Sequence, residues 1–70
     1  MGHGMVRSSA PIVMTRIEIE WQDQFGRWQH FQTMHNAANA FRTARNRARS
    51  TGKRHRLVDG DGRLLDILEP

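Results

Sequence analysis

The chain has no cysteine among its 70 residues. That excludes a disulfide staple, a thiolate metal centre and a cysteine nucleophile together. Long apolar runs are missing too, and none approaches the roughly 20 residues needed to cross a bilayer. The opening stretch MGHGMVRSSAP lacks the apolar centre of a secretory signal. The expected address is therefore cytoplasmic, with no membrane partner. No glycine-rich strand-to-helix loop is present to cradle a phosphate, and Gly60-x-Gly62 reads as a hairpin turn instead. Neither serine-containing stretch has the Gly-flanked elbow of a hydrolase. Asp59 and Asp61 sit together, but Asp in such turns normally caps backbone. A core this small leaves no room for a deep pocket. The expectation is a non-enzyme with no cofactor and no small-molecule substrate.

Negative charge is locally the scarcest commodity. No Asp or Glu occurs in residues 24–58, although the chain as a whole carries eleven cations against seven acids, a net +4. Seven of those cations (Arg42, Arg45, Arg47, Arg49, Lys53, Arg54 and Arg56) fall within fifteen residues. The acids cluster in residues 18–23 and 59–69. The molecule is thus charge-polarised rather than uniformly basic. A single domain of this length buries only about 60% of the surface its unfolded chain exposes. With no staple to help, self-association is a reasonable expectation.

What is present organises around residues 33–52. Met34, Ala37, Phe41, Ala44 and Ala48 recur at the spacing of one helix face. Thr33 suits the N-cap and Gly52 the position just past the C-terminus. Phe41 is the one large side chain on that stripe, so it is expected to anchor the helix. Residues 1–11 show no sustained period and read as a flexible N-terminal arm, leaving 12–70 as the domain. From Thr15 strict alternation sets in, with Ile17, Ile19 and Trp21 on one face and Arg16, Glu18, Glu20 and Gln22 on the other.

The segment Asp23-Gln24-Phe25-Gly26-Arg27 reads as a hairpin turn whose glycine takes the left-handed position of a bulge. A three-residue loop pairs Trp21 with Gln29, Ile19 with Phe31 and Ile17 with Thr33. Phe31 then faces the core, while Trp28 and His30 face away beside Gln22 and Glu20. A four-residue loop would invert this, but it denies Gly26 the place that needs glycine. Asp59-Gly60-Asp61-Gly62-Arg63 repeats the D-x-x-G-R pattern, which shared turn chemistry explains without gene duplication. The same register puts Leu57, Leu65 and Ile67 inside, and Arg54, Arg56, Val58, Leu64, Asp66 and Leu68 outside. The predicted fold is α+β: ββαββ, a four-stranded, mostly antiparallel sheet in the order 2-1-3-4 with one helix on one face.

Phe31-x-Thr33, Ala37, Phe41, Ala44, Gly52, Arg56-Leu57-Val58-Asp59 and Gly62-Arg63 together resemble small bacterial and phage proteins of β-hairpin–helix–β-hairpin type. Those proteins have no characterised function, so the resemblance implies a fold and no activity. More distantly, the layout is similar to the arm-type domains of integrases, which read DNA with a three-stranded sheet. No base-reading residue carries over.

Two surfaces carry the functional expectations. On the helix, Arg42, Arg45 and Arg49 share one flank and Arg47 falls on the other, while Lys53, Arg54 and Arg56 extend the charge beyond its C-terminus. These six, without Arg47, form a candidate phosphate-binding set for nucleic acid. The plainer alternative is a solvated helix face with its arginines near Glu18, Glu20 or Asp66. On the sheet's outer face, Trp28, His30, Val58, Leu64 and Leu68 form a candidate interaction surface for a homodimer or another protein. There the plainer alternative is an N-terminal arm folded over Trp28, or a bulge that turns Trp28 inward. His30-x4-His35 joins a strand to a first helical turn with no third ligand in sight, so no metal site is assigned.

Overall fold

The computed structural model describes residues 16–70. The N-terminal arm expected over residues 1–11, and the domain start at residue 12, lie outside the described residues. The elements are β1 (Ile17–Gln22), β2 (Trp28–Met34), α1 (Ala37–Thr51), β3 (His55–Asp59) and β4 (Leu64–Leu68). They form one open antiparallel sheet in the order β2-β1-β3-β4, an α+β fold of ββαββ type with the helix on one face. The helix turns the chain round, so β3 docks on the free side of β1 and leaves β2 and β4 as edges. None of the helices among the described residues is long and apolar enough to cross a membrane.

Both hairpin turns follow the same hydrogen-bond logic. Asp23 N–H donates to the Arg27 carbonyl at 2.8 Å, and Asp59 N–H to the Arg63 carbonyl at 2.9 Å. The Asp23 Oδ1 accepts from the backbone N–H of Phe25 and Arg27, and the Asp59 Oδ1 from those of Asp61 and Arg63. Gly26 and Gly62 sit at φ 81° and 84°.

Each hairpin then slips by one residue, away from its turn. In the first, Glu20 opposes His30 but Ile19 opposes Gln32, so Phe31 is the extra residue of a β-bulge. Thr33 therefore faces Glu18, rather than Ile17 as a continuous register would have it. In the second, Val58 opposes Leu64 but Leu57 opposes Asp66, leaving Leu65 as the extra residue. Past that point every side chain changes face. Leu68 lies opposite His55 and joins the buried core, correcting its expected place on the outer face. Ile67 lies opposite Arg56 on the outer face and is 41% exposed, where the sequence pattern had put it inside.

The helix also departs from expectation at its first turn. Its N-cap is Asn36, not Thr33: the Asn36 Oδ1 accepts from Asn39 N–H at 2.9 Å. Thr33 is still strand, and its hydroxyl donates to Glu18. Gly52 closes the other end at φ 71°, its N–H donating to the Ala48 carbonyl at 3.0 Å. The stripe against the sheet is Ala40, Ala44 and Ala48, all fully buried with Ile17, Ile19, Leu57 and Leu68. Phe41 stands at its margin, 37% exposed, and is not the anchor. A phenyl ring at the centre would hold the helix off the sheet, whereas three methyl groups let the backbones approach.

Candidate nucleic-acid interface

The seven clustered cations do not form one patch. Two are drawn to the acid-bearing strands. Arg56 Nε donates to Glu20 Oε1 at 2.7 Å, and its guanidinium lies 4.4 Å from the Trp28 ring centroid. Arg54 pairs with Glu69 at 3.1 Å on the surface, where such a pair adds little stability. Both were expected to hold phosphate, and both already hold carboxylate.

Arg42, Arg45 and Arg49 are different. All three are exposed on α1, and none makes an ion pair among the described residues. Arg42 only bonds to the Asn39 side-chain oxygen one turn back. At 3.6 residues per turn the three fall within an arc of about 60°, on one flank away from the alanine stripe, and span roughly 10 Å along the axis. That length matches about three phosphate steps of one strand. Lys53, also exposed, follows the helix at its C-terminal end.

The outer face of the sheet is nearly self-neutralising. Glu18 accepts from the Thr33 hydroxyl and from His30 Nε2 at 3.0 Å, and it forms an ion pair with Arg16 at 3.0 Å. The Thr33 bond is the largest influence, and with His30 and Arg16 it outweighs partial desolvation and holds the Glu18 carboxyl below its ordinary value. Trp28 is half-buried on this face, as expected, with His30 exposed beside it. Val58, Leu64 and Ile67 continue the face toward β4, where Leu64 is 51% exposed.

Sequence reasoning missed a second feature on the helix side. Arg47 points inward and covers the Phe31 ring at 3.7 Å from its centroid. With Trp21, Thr51, Lys53 and His55 it lines a cleft of about 200 Å³ between β1, β3 and the end of α1. His55 is completely buried. Its Nδ1 donates to the Lys53 carbonyl at 2.9 Å, while its Nε2 and the Arg47 Nε are buried without a partner among the described residues. The signal was available: His55 shares the period of Leu57, and Arg47 flanks Ala44 and Ala48 on the helical wheel.

No family model matches the chain, and neither a curated protein nor a solved structure is significantly similar to it. Functional assignment rests on the geometry.

Proposed function

We propose that this protein is a small, non-enzymatic nucleic-acid-binding domain whose helix tracks phosphates through Arg42, Arg45 and Arg49, with Lys53 continuing the track. One observation carries the reading. These three arginines share a single exposed flank and have no carboxylate partner among the described residues, while the acids are gathered on the sheet. Contacts of this kind position a backbone and carry no base identity, so binding is sequence-tolerant. Arg54 and Arg56 drop out of the expected set because Glu69 and Glu20 already neutralise them.

Fluorescence anisotropy of labelled duplex and single strands tests this. The three arginine contacts alone, without Lys53, give a log–log salt slope of about −2.7 on duplex and about −2.1 on a single strand. Duplex affinity should then fall about 40-fold between roughly 50 and 200 mM salt. Replacing all three arginines by glutamine should abolish binding. Absence of binding at low salt, or an unchanged slope in the triple variant, refutes the proposal.

A second reading is supported by Leu64 and Ile67, which lie 51% and 41% exposed on the outer face beside Val58. An apolar row next to a strand edge that no described residue pairs with suits a second copy of this chain. The two readings use opposite faces and are compatible.

A further inference from the structure

The two hairpin turns share the D-x-x-G-R pattern and the same backbone bonds, so each serves as a control for the other. They differ at two places. Where the second turn has Asp61, the first has Phe25, which is 73% exposed, more than any other large apolar side chain among the described residues. Turn geometry therefore does not call for an aromatic there. In the second turn the Arg63 Nε lies 3.7 Å from Asp59 Oδ2. In the first, Gln29 Nε2 donates to the corresponding oxygen, Asp23 Oδ2, at 2.9 Å. Arg27 is exposed and makes no ion pair among the described residues, whereas Arg16, Arg54, Arg56 and Arg63 each face a carboxylate. The tip thus offers a bare phenyl ring and, two residues on, an uncommitted guanidinium. Its place in the fold follows from the register. Gln22 N–H donates to the Arg54 carbonyl at 2.8 Å, and Trp21 lies opposite His55. Continuing that register sets Asp23 level with Lys53, and Phe25 two residues farther out, roughly 7 Å at 3.3 Å per residue. The tip projects at the C-terminal end of α1, where Lys53 closes the arginine track. The second turn, with its two Asp residues, lies at the opposite end of the sheet, since Asp59 faces Ile17 at the start of β1.

We propose that the β1–β2 tip is a second contact element for a single nucleic-acid strand, with Phe25 stacking on an unpaired base and Arg27 holding a neighbouring phosphate. Every base has a π-face, so the stack needs no hydrogen-bond match and tolerates any sequence. Unpaired bases can be splayed out onto an aromatic ring, whereas those inside a duplex are already stacked on one another. The turn is held before any ligand arrives: Asp23 Oδ1 accepts from the Phe25 and Arg27 N–H groups, and Gln22 Nε2 donates to the Gly26 carbonyl at 3.1 Å. Little ordering of the backbone is then left to oppose binding. A bilayer fits less well, since even a whole acyl chain binds membranes only marginally and one phenyl ring buries less. Continuity with Lys53 and the helix arginines favours a linear polyanion instead. This inference rests on the nucleic-acid reading and adds a preference for single strands, at a site the three helix arginines do not supply.

In the wild-type full chain, oligothymidylate should shift the Phe25 ring-proton resonances through the ring current of the stacked base, while inorganic polyphosphate of equal charge should bind without shifting them. That measurement needs no variant to fold. Phe25→Ala should weaken single-strand binding about tenfold or more and spare blunt duplex. Its salt slope should equal that of the wild type, because stacking releases no counterion. Arg27→Gln should instead make the single-strand slope shallower by about 0.7, the share of one phosphate. If the triple glutamine variant of Arg42, Arg45 and Arg49 binds as the wild type does while Phe25→Ala loses affinity, the phosphate track is wrong and the tip stands. If oligonucleotides bind with the Phe25 ring unmoved, or Phe25→Ala keeps full single-strand affinity, the tip proposal is overturned and the phosphate track survives. Absence of any oligonucleotide binding at low salt overturns both. A Phe25 shift with phosphatidylserine vesicles and none with oligothymidylate overturns the tip proposal in favour of a membrane.

Discussion

The two glycines of the second hairpin turn should respond in opposite directions to the same substitution. Gly62 sits at φ 84°, and a Cβ there would meet nothing within 4 Å. Its intolerance of alanine is therefore purely conformational: an L-residue in the left-handed region pays about 1–2 kcal/mol. Gly60, two residues earlier, does not have a positive φ, and its Cβ would lie 3.6 Å from Arg16 Nε, ordinary contact. Alanine at position 60 then mainly restricts the unfolded chain, a gain of about 0.4–1 kcal/mol. In a domain of this size each kcal/mol moves the melting temperature by about 4–8 °C. Gly62→Ala should lower it by about 4–16 °C, and Gly60→Ala should raise it by about 2–8 °C. Urea unfolding with an unchanged m-value would confirm that stability rather than compactness moved. Equal shifts for the two variants would refute the turn geometry, and with it the register near both glycines.

Two further predictions concern the sheet's outer face. If that face pairs with a second copy, the wild-type chain should sediment as a dimer at high micromolar concentration and Leu64→Glu as a monomer; a monomeric wild type removes the second reading. The depressed Glu18 carboxyl implies stability that is fully present above its unfolded value near 4.5 and is lost as pH falls through the lower folded value. Melting temperature should fall on acidification below that point, and less steeply in Glu18→Gln; equal slopes would mean that the Thr33 and His30 bonds do not stabilise the fold.

Much of the architecture is legible in the residues because each local signal agrees with the next. Alternation from Ile17 to Trp21, two D-x-x-G-R turns and an alanine-rich helical stripe leave few arrangements besides ββαββ, and the strand order follows from the reversal imposed by α1. What escaped detection were the bulges. In β2 the large apolar residues Trp28, Phe31 and Met34 recur every three positions, a spacing that no strand of period two can place on one face. The bulge at Phe31 absorbs the mismatch. In β4, the run Leu64-Leu65-Asp66-Ile67-Leu68 has apolar residues on both faces, so hydropathy cannot choose between them. The choice falls to packing: Leu68 is taken into the core opposite His55, and Ile67 is left outside. The shift of the N-cap to Asn36 belongs to the same cause, because the bulge carries β2 on through Met34 before the helix can start.

The clustering of cations was legible in composition, and their distribution over the surface was not. A linear count of seven cations in fifteen residues describes charge density along the chain, not across a surface. Strands β3 and β1 are neighbours, and alternation sends Arg56 to the same face as Glu20, so the sheet brings together what the sequence keeps 36 residues apart. Arg47 leaves the patch for another reason, since on the wheel it lies about 20° from Ala40 and 60° from Ala44, which turns it toward Phe31. Helix geometry protects the remaining three: residues 42, 45 and 49 point away from the sheet, beyond reach of the acids on its far side. Their availability for phosphate is thus a consequence of where the alanine stripe sits. Rotating that stripe by about 60°, as a Phe41-centred face requires, would swing Arg45 toward the seam and cut the exposed track to two.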